Sequence, residues 1–138
     1  MNVLLARSAL GLIALPQAEI GVWGLLAPRS FFDNFPGAGH HWVSELGVYN
    51  EHLVRDYAAS ELGFAVLLAI AALRFDRRLV LVAGAAFLVA TIPHFANHLT
   101  TTERFSTTDN VASLAAFAVE IALVCLAMTI ASRPQRSN

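Results

Sequence analysis

The sequence predicts an all-α integral membrane protein, a four-helix antiparallel bundle filling one domain over residues 1–138, and three observations carry that expectation. The first is composition: 57% of the 138 residues are hydrophobic and 14% charged, with a mean hydropathy of +0.59, outside the range of ordinary soluble domains. The second is segmentation into four apolar runs, each about twenty residues or longer, the length that crosses the hydrocarbon core of a bilayer. The third is placement: the ionisable residues inside those runs fall in one slab of the bundle instead of scattering along it.

The first run covers residues 3–27, VLLARSALGLIALPQAEIGVWGLLA, and carries Arg7, Pro16, Gln17 and Glu19. It reads as a span and not as a cleaved signal peptide, because no basic segment precedes Val3 and Trp23 and Leu25 prolong the apolar run. Pro16 frees one backbone carbonyl, a loss that neighbouring helices or Gln17 can absorb inside a bundle. Residues 28–48 form an interfacial outer loop, long enough to fold back over the bundle end as a cap and rich in Phe31, Phe32, Phe35 and Trp42, the aromatic anchors expected at headgroup depth, with PGAG as its turn. His40 and His41 in that loop read as solvated residues, since no periodicity fixes them.

The second helix is expected over residues 50–73, followed by the charged turn RFDRR, and the third over residues 79–98, where Ala83-Gly84-Ala85-Ala86 offers a small face for close packing. After the polar loop TTTERFSTTDN, the fourth is expected over residues 109–131, with Thr108 or Asp109 as N-cap and an apolar body from Val111. The tail SRPQRSN reads as a soluble end. Cys125, the single cysteine, lies inside the last apolar run and reads as a small packing residue.

Arginine placement orients the bundle. Arg7, Arg74, Arg77, Arg78, Arg133 and Arg136 fall at one end, against Arg29, Arg55 and Arg104 at the other, so the positive-inside rule puts both termini in the cytoplasm of a bacterial cell, in its inner membrane. All nine basic residues are arginine and the net charge is -1, which gives no footprint for nucleic acid. The expected partner is the lipid bilayer itself, with a homo-oligomer or a larger membrane assembly left open.

The candidate site lies toward the outer end. Counting about 1.5 Å per residue inward puts Glu19 roughly 10 Å deep, Glu61 roughly 13 Å and Glu120 roughly 16 Å, all below the histidines. A charged side chain facing lipid costs several kcal/mol, so one acid from each of three helices at similar depth points inward. These three are the candidate catalytic acids, or the acceptors standing behind a metal's ligands. Glu120, alone in its apolar run, must be protonated or paired.

Two pairs at i,i+4 spacing, His52/Asp56 and His94/His98, each share a helix face and are the candidate metal ligands, a donor set that zinc, iron and copper accept. Glu61 lies about 180° round its helix from His52 and shares a side with Tyr57, so Tyr57 and Glu61 form a separate pair. Haem between His52 and His94 is the narrower, less favoured cofactor. Arg55 reads as an interfacial cation or the partner of an outer-loop acid.

Tyr49-Asn50-Glu51-His52, Arg55-Asp56 and the later His94 and His98 of PHFANHL resemble small four-helix bacterial membrane proteins, broadly DoxX-like, which are mostly uncharacterised. The resemblance is best over the second and third helices and implies a four-span layout; some DoxX-like proteins are linked to quinone or sulfur redox chemistry, which would suit a membrane-embedded polar site. Three functions stand side by side: a metal or haem site doing redox or hydrolytic work, a non-catalytic accessory subunit, and a proton-coupled small-solute carrier using the three acids as a relay.

Overall fold

The computed structural model describes residues 2–133, so Arg136 and most of the expected soluble tail lie outside the described residues. Four long helices, α1 (Asn2–Leu26), α3 (Glu51–Arg74), α4 (Arg77–Thr100) and α5 (Thr107–Ser132), are joined by a short α2 (Pro28–Asn34) and a two-stranded ribbon, β1 (Pro36–Gly37) and β2 (His40–His41). All four long helices are long and apolar enough to cross a membrane.

The helix starts show which local forces act. Asn50 caps α3 by accepting from the Leu53 amide at 3.1 Å, and Asp76 caps α4 by accepting from Leu79 at 3.0 Å. Helix α5 begins earlier than expected, because Ser106, not Thr108 or Asp109, is the cap. Its hydroxyl accepts from the Asp109 amide at 3.1 Å and donates to the Asp109 carboxylate at 2.6 Å, so both groups of Asp109 hold the cap. At the opposite end Phe75 takes a left-handed conformation (φ 49°), which closes α3 and admits α4 after a two-residue turn. Arg7 crosses to that turn, donating to the Leu73 carbonyl at 3.2 Å and lying 6.0 Å from the Phe75 ring centre.

Helices α1, α3, α4 and α5 form an up-and-down ring in that order, with α1 also against α5, and the α1–α3 contact is the most extensive. Gly21 and Gly24 permit it: a Cβ on Gly21 would sit 2.6 Å from the Leu62 Cβ and 2.8 Å from its Cα, and one on Gly24 would sit 2.6 Å from the Ala58 Cβ. Of the small stretch on α4, Ala83 and Gly84 are buried, with Gly84 facing Met128 and Val124, while Ala85 and Ala86 are exposed. Cys125 is exposed, not a packing residue.

The half of the bundle near the α3–α4 turn is solid. Leu10, Ile13, Leu68, Val80, Phe87 and Val124 fill it together with small alanines. The other half is built differently. Residues 28–48 fold back over the bundle end as a cap and carry a short helix and ribbon: Pro28 starts α2, Phe31 and Phe32 are buried against Val54, and Trp23, Phe35, Val43, Tyr49 and Tyr57 pack around them. The PGAG turn is a tight one, with Gly37, Ala38 and Gly39 all at positive φ.

Candidate functional site

A cavity of about 890 Å³ occupies the half of the bundle beneath this aromatic cap. Each of the four long helices sends polar side chains to its wall: Gln17 and Glu19 from α1, Tyr57 and Glu61 from α3, His94 and His98 from α4, Glu120 from α5. The surrounding wall is apolar and aromatic, including Phe31, Phe35, Trp42, Phe64, Phe87 and Phe117. The volume lies within the range of clefts that hold small organic molecules, roughly 300–1,000 Å³.

Glu120 is paired. The Gln17 amide donates to its Oε1 at 2.8 Å, tying α1 to α5 across 103 positions of sequence. Gln17 is only 3% exposed, so the donor of this hydrogen bond is buried within the bundle while its acceptor, Glu120, is half-buried. The Gln17 side chain is therefore engaged with Glu120 and does not serve the carbonyl freed by Pro16. One turn apart on α3, Tyr57 and Glu61 face the same cavity as Glu120. Glu19 lines the same cavity but is exposed, at the margin of the site.

Toward the cap, aromatic contacts hold the histidines. The His94 ring centre lies 6.0 Å from Tyr57, 4.8 Å from Phe117 and 5.0 Å from His98. His98 stacks on Phe105 at 6.0 Å and 14°, and is 8% exposed. Its Nδ1 is buried without a hydrogen-bond partner among the described residues, an unusual state for a polar atom.

The other candidate ligands stand elsewhere. His52 Nε2 and Asp56 Oδ2 are 3.2 Å apart, but their side chains are 88% and 64% exposed and neither lines the cavity. The expected set of three imidazoles and a carboxylate is not assembled, and among the described residues no group of three or more His, Cys, Asp or Glu is placed to hold a metal ion. The reason is rotational: His52 and Asp56 occupy the face of α3 opposite Glu61, and α3 turns its Tyr57/Glu61 face inward. A porphyrin between His52 and His94 finds no support for the same reason. Arg55, between them, is held by Glu51 at 2.9 Å and donates to the Leu25 carbonyl at the end of α1.

Sequence reasoning missed the residues that close the cap. Asp109 Oδ1 accepts from the Trp42 indole at 2.8 Å and meets His40 Nδ1 at 2.7 Å, so His40 is a partner of Asp109 and not a free loop residue. His41 Nδ1 lies 2.6 Å from the Asp33 carbonyl oxygen. Gln17 is the other omission as a site residue. An amide beside a proline inside an apolar run is the signal that marks it, because a buried amide in a membrane-length helix needs a partner.

At the rim of the capped end, Arg29 is bound to Asp33 at 2.7 Å, and that hydrogen bond raises the guanidinium pKa above its ordinary value. Arg29 also lies 5.0 Å from the ring centre of Tyr49, whose phenol is raised, chiefly by burial and next by the Glu51 carboxylate. Comparison with known proteins adds nothing to this geometry: no family model, no curated protein and no solved structure matches the chain.

Proposed function

We propose that this chain is a four-span protein of a bacterial inner membrane that takes a small, largely apolar molecule into its outer-half cavity and exchanges protons with it through Glu61 and Glu120. The observation that carries the reading is the convergence of polar groups from all four long helices on one apolar-walled cavity. Polar side chains kept only to lock helices together would be expected to bond to one another at helix contacts and leave no space between them. The arginine distribution supports cytoplasmic termini, with Arg7, Arg74, Arg77, Arg78 and Arg133 at the solid end of the bundle and the cavity at the outer end. In this reading His94 and Tyr57 orient the bound molecule, Gln17 holds Glu120 in position, and Glu19 stands at the margin as a proton path to the surface.

The test is mass analysis of the intact protein released from mild detergent. The expected result is a small molecule bound one per chain and absent from an Ala116→Trp variant, whose indole would fill the space that Ala116 lines. Molecules held equally by both forms would place them outside the cavity and count against the reading.

A second reading, a zinc, iron or copper ion on His94 and His98, is favoured by their 5.0 Å ring separation at i,i+4 spacing. Its remaining ligands would come from the bound molecule. Elemental analysis of tag-free protein checks it: one metal per chain, lost in His94→Ala, is the expected outcome, and metal retained in that variant contradicts the ligand pair.

A further inference from the structure

The charge inventory of the cavity narrows the class of molecule it takes, an inference that rests on the cavity being a binding site. Three carboxyl side chains, Glu19, Glu61 and Glu120, line it, and no arginine among the described residues does. The chain contains no lysine. The nearest basic candidate on the inward helices, Arg55, is committed to Glu51 and the Leu25 carbonyl outside the cavity. Among the described residues, the only side-chain hydrogen bond to Glu120 comes from the uncharged amide of Gln17. A carboxylate at membrane depth needs a proton or a counter-charge, and among the described residues neither arginine nor lysine supplies one in the cavity.

Two further features point the same way. The walls present aromatic faces, among them Phe31, Trp42, Tyr57 and Phe117, and such faces attract cations when water is excluded. His98, 8% exposed and lining the cavity, keeps an unpartnered Nδ1, so the site has a buried polar atom that no described residue satisfies. A neutral lipid-like molecule would use the walls and leave the acids unanswered. A hydrated metal ion would need its water shell replaced by more ligands than the two histidines supply.

We propose that the cavity binds a lipophilic organic cation, such as a protonated aryl or alkyl amine, with its charge between Glu61 and Glu120 and its apolar groups against the aromatic wall. Binding exchanges one cation for one proton: the carboxyl O–H breaks, the proton leaves for water, and the carboxylate is paired with the incoming charge. The groups facing that charge are Gln17 and Glu19 on α1, Tyr57 and Glu61 on α3, His94 and His98 on α4, and Glu120 on α5.

The experiment uses the full chain in lipid nanodiscs with tetraphenylphosphonium as probe and tetraphenylsilane, its neutral isostere, as control. Expected are saturable phosphonium binding at one per chain, proton release on binding, and affinity falling as the pH is lowered, approaching tenfold per pH unit where one proton competes. Glu61→Gln and Glu120→Gln, each made singly, should weaken phosphonium binding by about tenfold or more while leaving silane binding unchanged, since only the charged ligand uses the carboxylate. Unchanged silane binding also shows that each variant is folded. Equal affinity for phosphonium and silane, or phosphonium binding indifferent to pH and to both substitutions, overturns the cation inference and leaves the cavity reading standing. No binding of either compound overturns both.

Discussion

Replacing Gly21 by alanine strikes a close contact between α1 and the backbone of α3. Its new Cβ would lie 2.6 Å from the Leu62 Cβ, 2.7 Å from the Leu62 nitrogen and 2.8 Å from its Cα, short of the 3.4 Å at which ordinary contact begins by about 0.8 Å at the nearest atom. Two of those three atoms are backbone, so no side-chain rotation relieves the overlap and α1 must move off α3. Overpacking of this kind costs about 1–3 kcal/mol. Alanine regains about 1 kcal/mol of helix propensity, leaving a net loss of up to roughly 2 kcal/mol, about 1 kcal/mol at the middle of the range.

Gly63, also inside a long helix, is the control: a Cβ there would meet nothing within 4 Å, so Gly63→Ala carries the propensity gain alone. It should stabilise by about 0.5–1 kcal/mol. Thermal unfolding in mild detergent, followed by Trp23 and Trp42 fluorescence, should therefore move in opposite directions for the two variants, by about 4 °C per kcal/mol in a chain of this size. A Gly21→Ala protein as stable as the parent would refute the close α1–α3 approach. Because Gln17 lies one turn along α1, the same displacement should also loosen its hydrogen bond to Glu120 and weaken ligand binding in the cavity.

Three other outcomes follow from local geometry. Asp109→Asn removes the charge that His40 and Trp42 share, so the cap should loosen and Trp42 fluorescence shift to the red, while Ser44→Ala, whose hydroxyl reaches only the His41 carbonyl, should leave it unchanged. Ser106→Ala deletes the cap of α5 and should cost about 1 kcal/mol in the same unfolding assay. Tyr49 should ionise above its ordinary value of 10.0, read by phenolate absorbance. Its folded pKa is raised, so the stability linked to it is complete below the unfolded value and is lost as pH rises through the folded one. Glu51→Gln should lower that pKa part of the way, since burial is the larger cause.

The long helices are legible in the sequence because hydropathy over about twenty residues is a strong signal. The pattern predicts a helix over residues 79–98 where Arg77–Thr100 is found, and one over residues 109–131 where Thr107–Ser132 is found; the second difference arises from Ser106, whose hydroxyl takes the Asp109 amide. Depth is legible too: Glu19, Glu61, Glu120, His94 and His98 all line one cavity. Rotation about α3 decides the rest. His52 and Asp56 share a face, as their spacing dictates, but spacing alone does not say which face a helix turns inward. That follows from the Gly21–Leu62 and Gly24–Ala58 approaches, long-range contacts that no local pattern announces. The cap is legible from the length and aromatics of residues 28–48, but the contacts that close it are not, since His40 and Trp42 acquire their roles only when α5 brings Asp109 to them.

The most direct test of the central claim, a protonatable site open to small apolar molecules within the membrane, is labelling of membranes with dicyclohexylcarbodiimide followed by peptide mass mapping. This apolar reagent reaches carboxyl groups from lipid and leaves a stable adduct on them. Adducts are expected on Glu61 or Glu120, prevented by Ala116→Trp, and none on the water-facing Glu45, Glu51 or Glu103. Adducts absent from both cavity glutamates, or unaffected by filling the cavity, would contradict that claim.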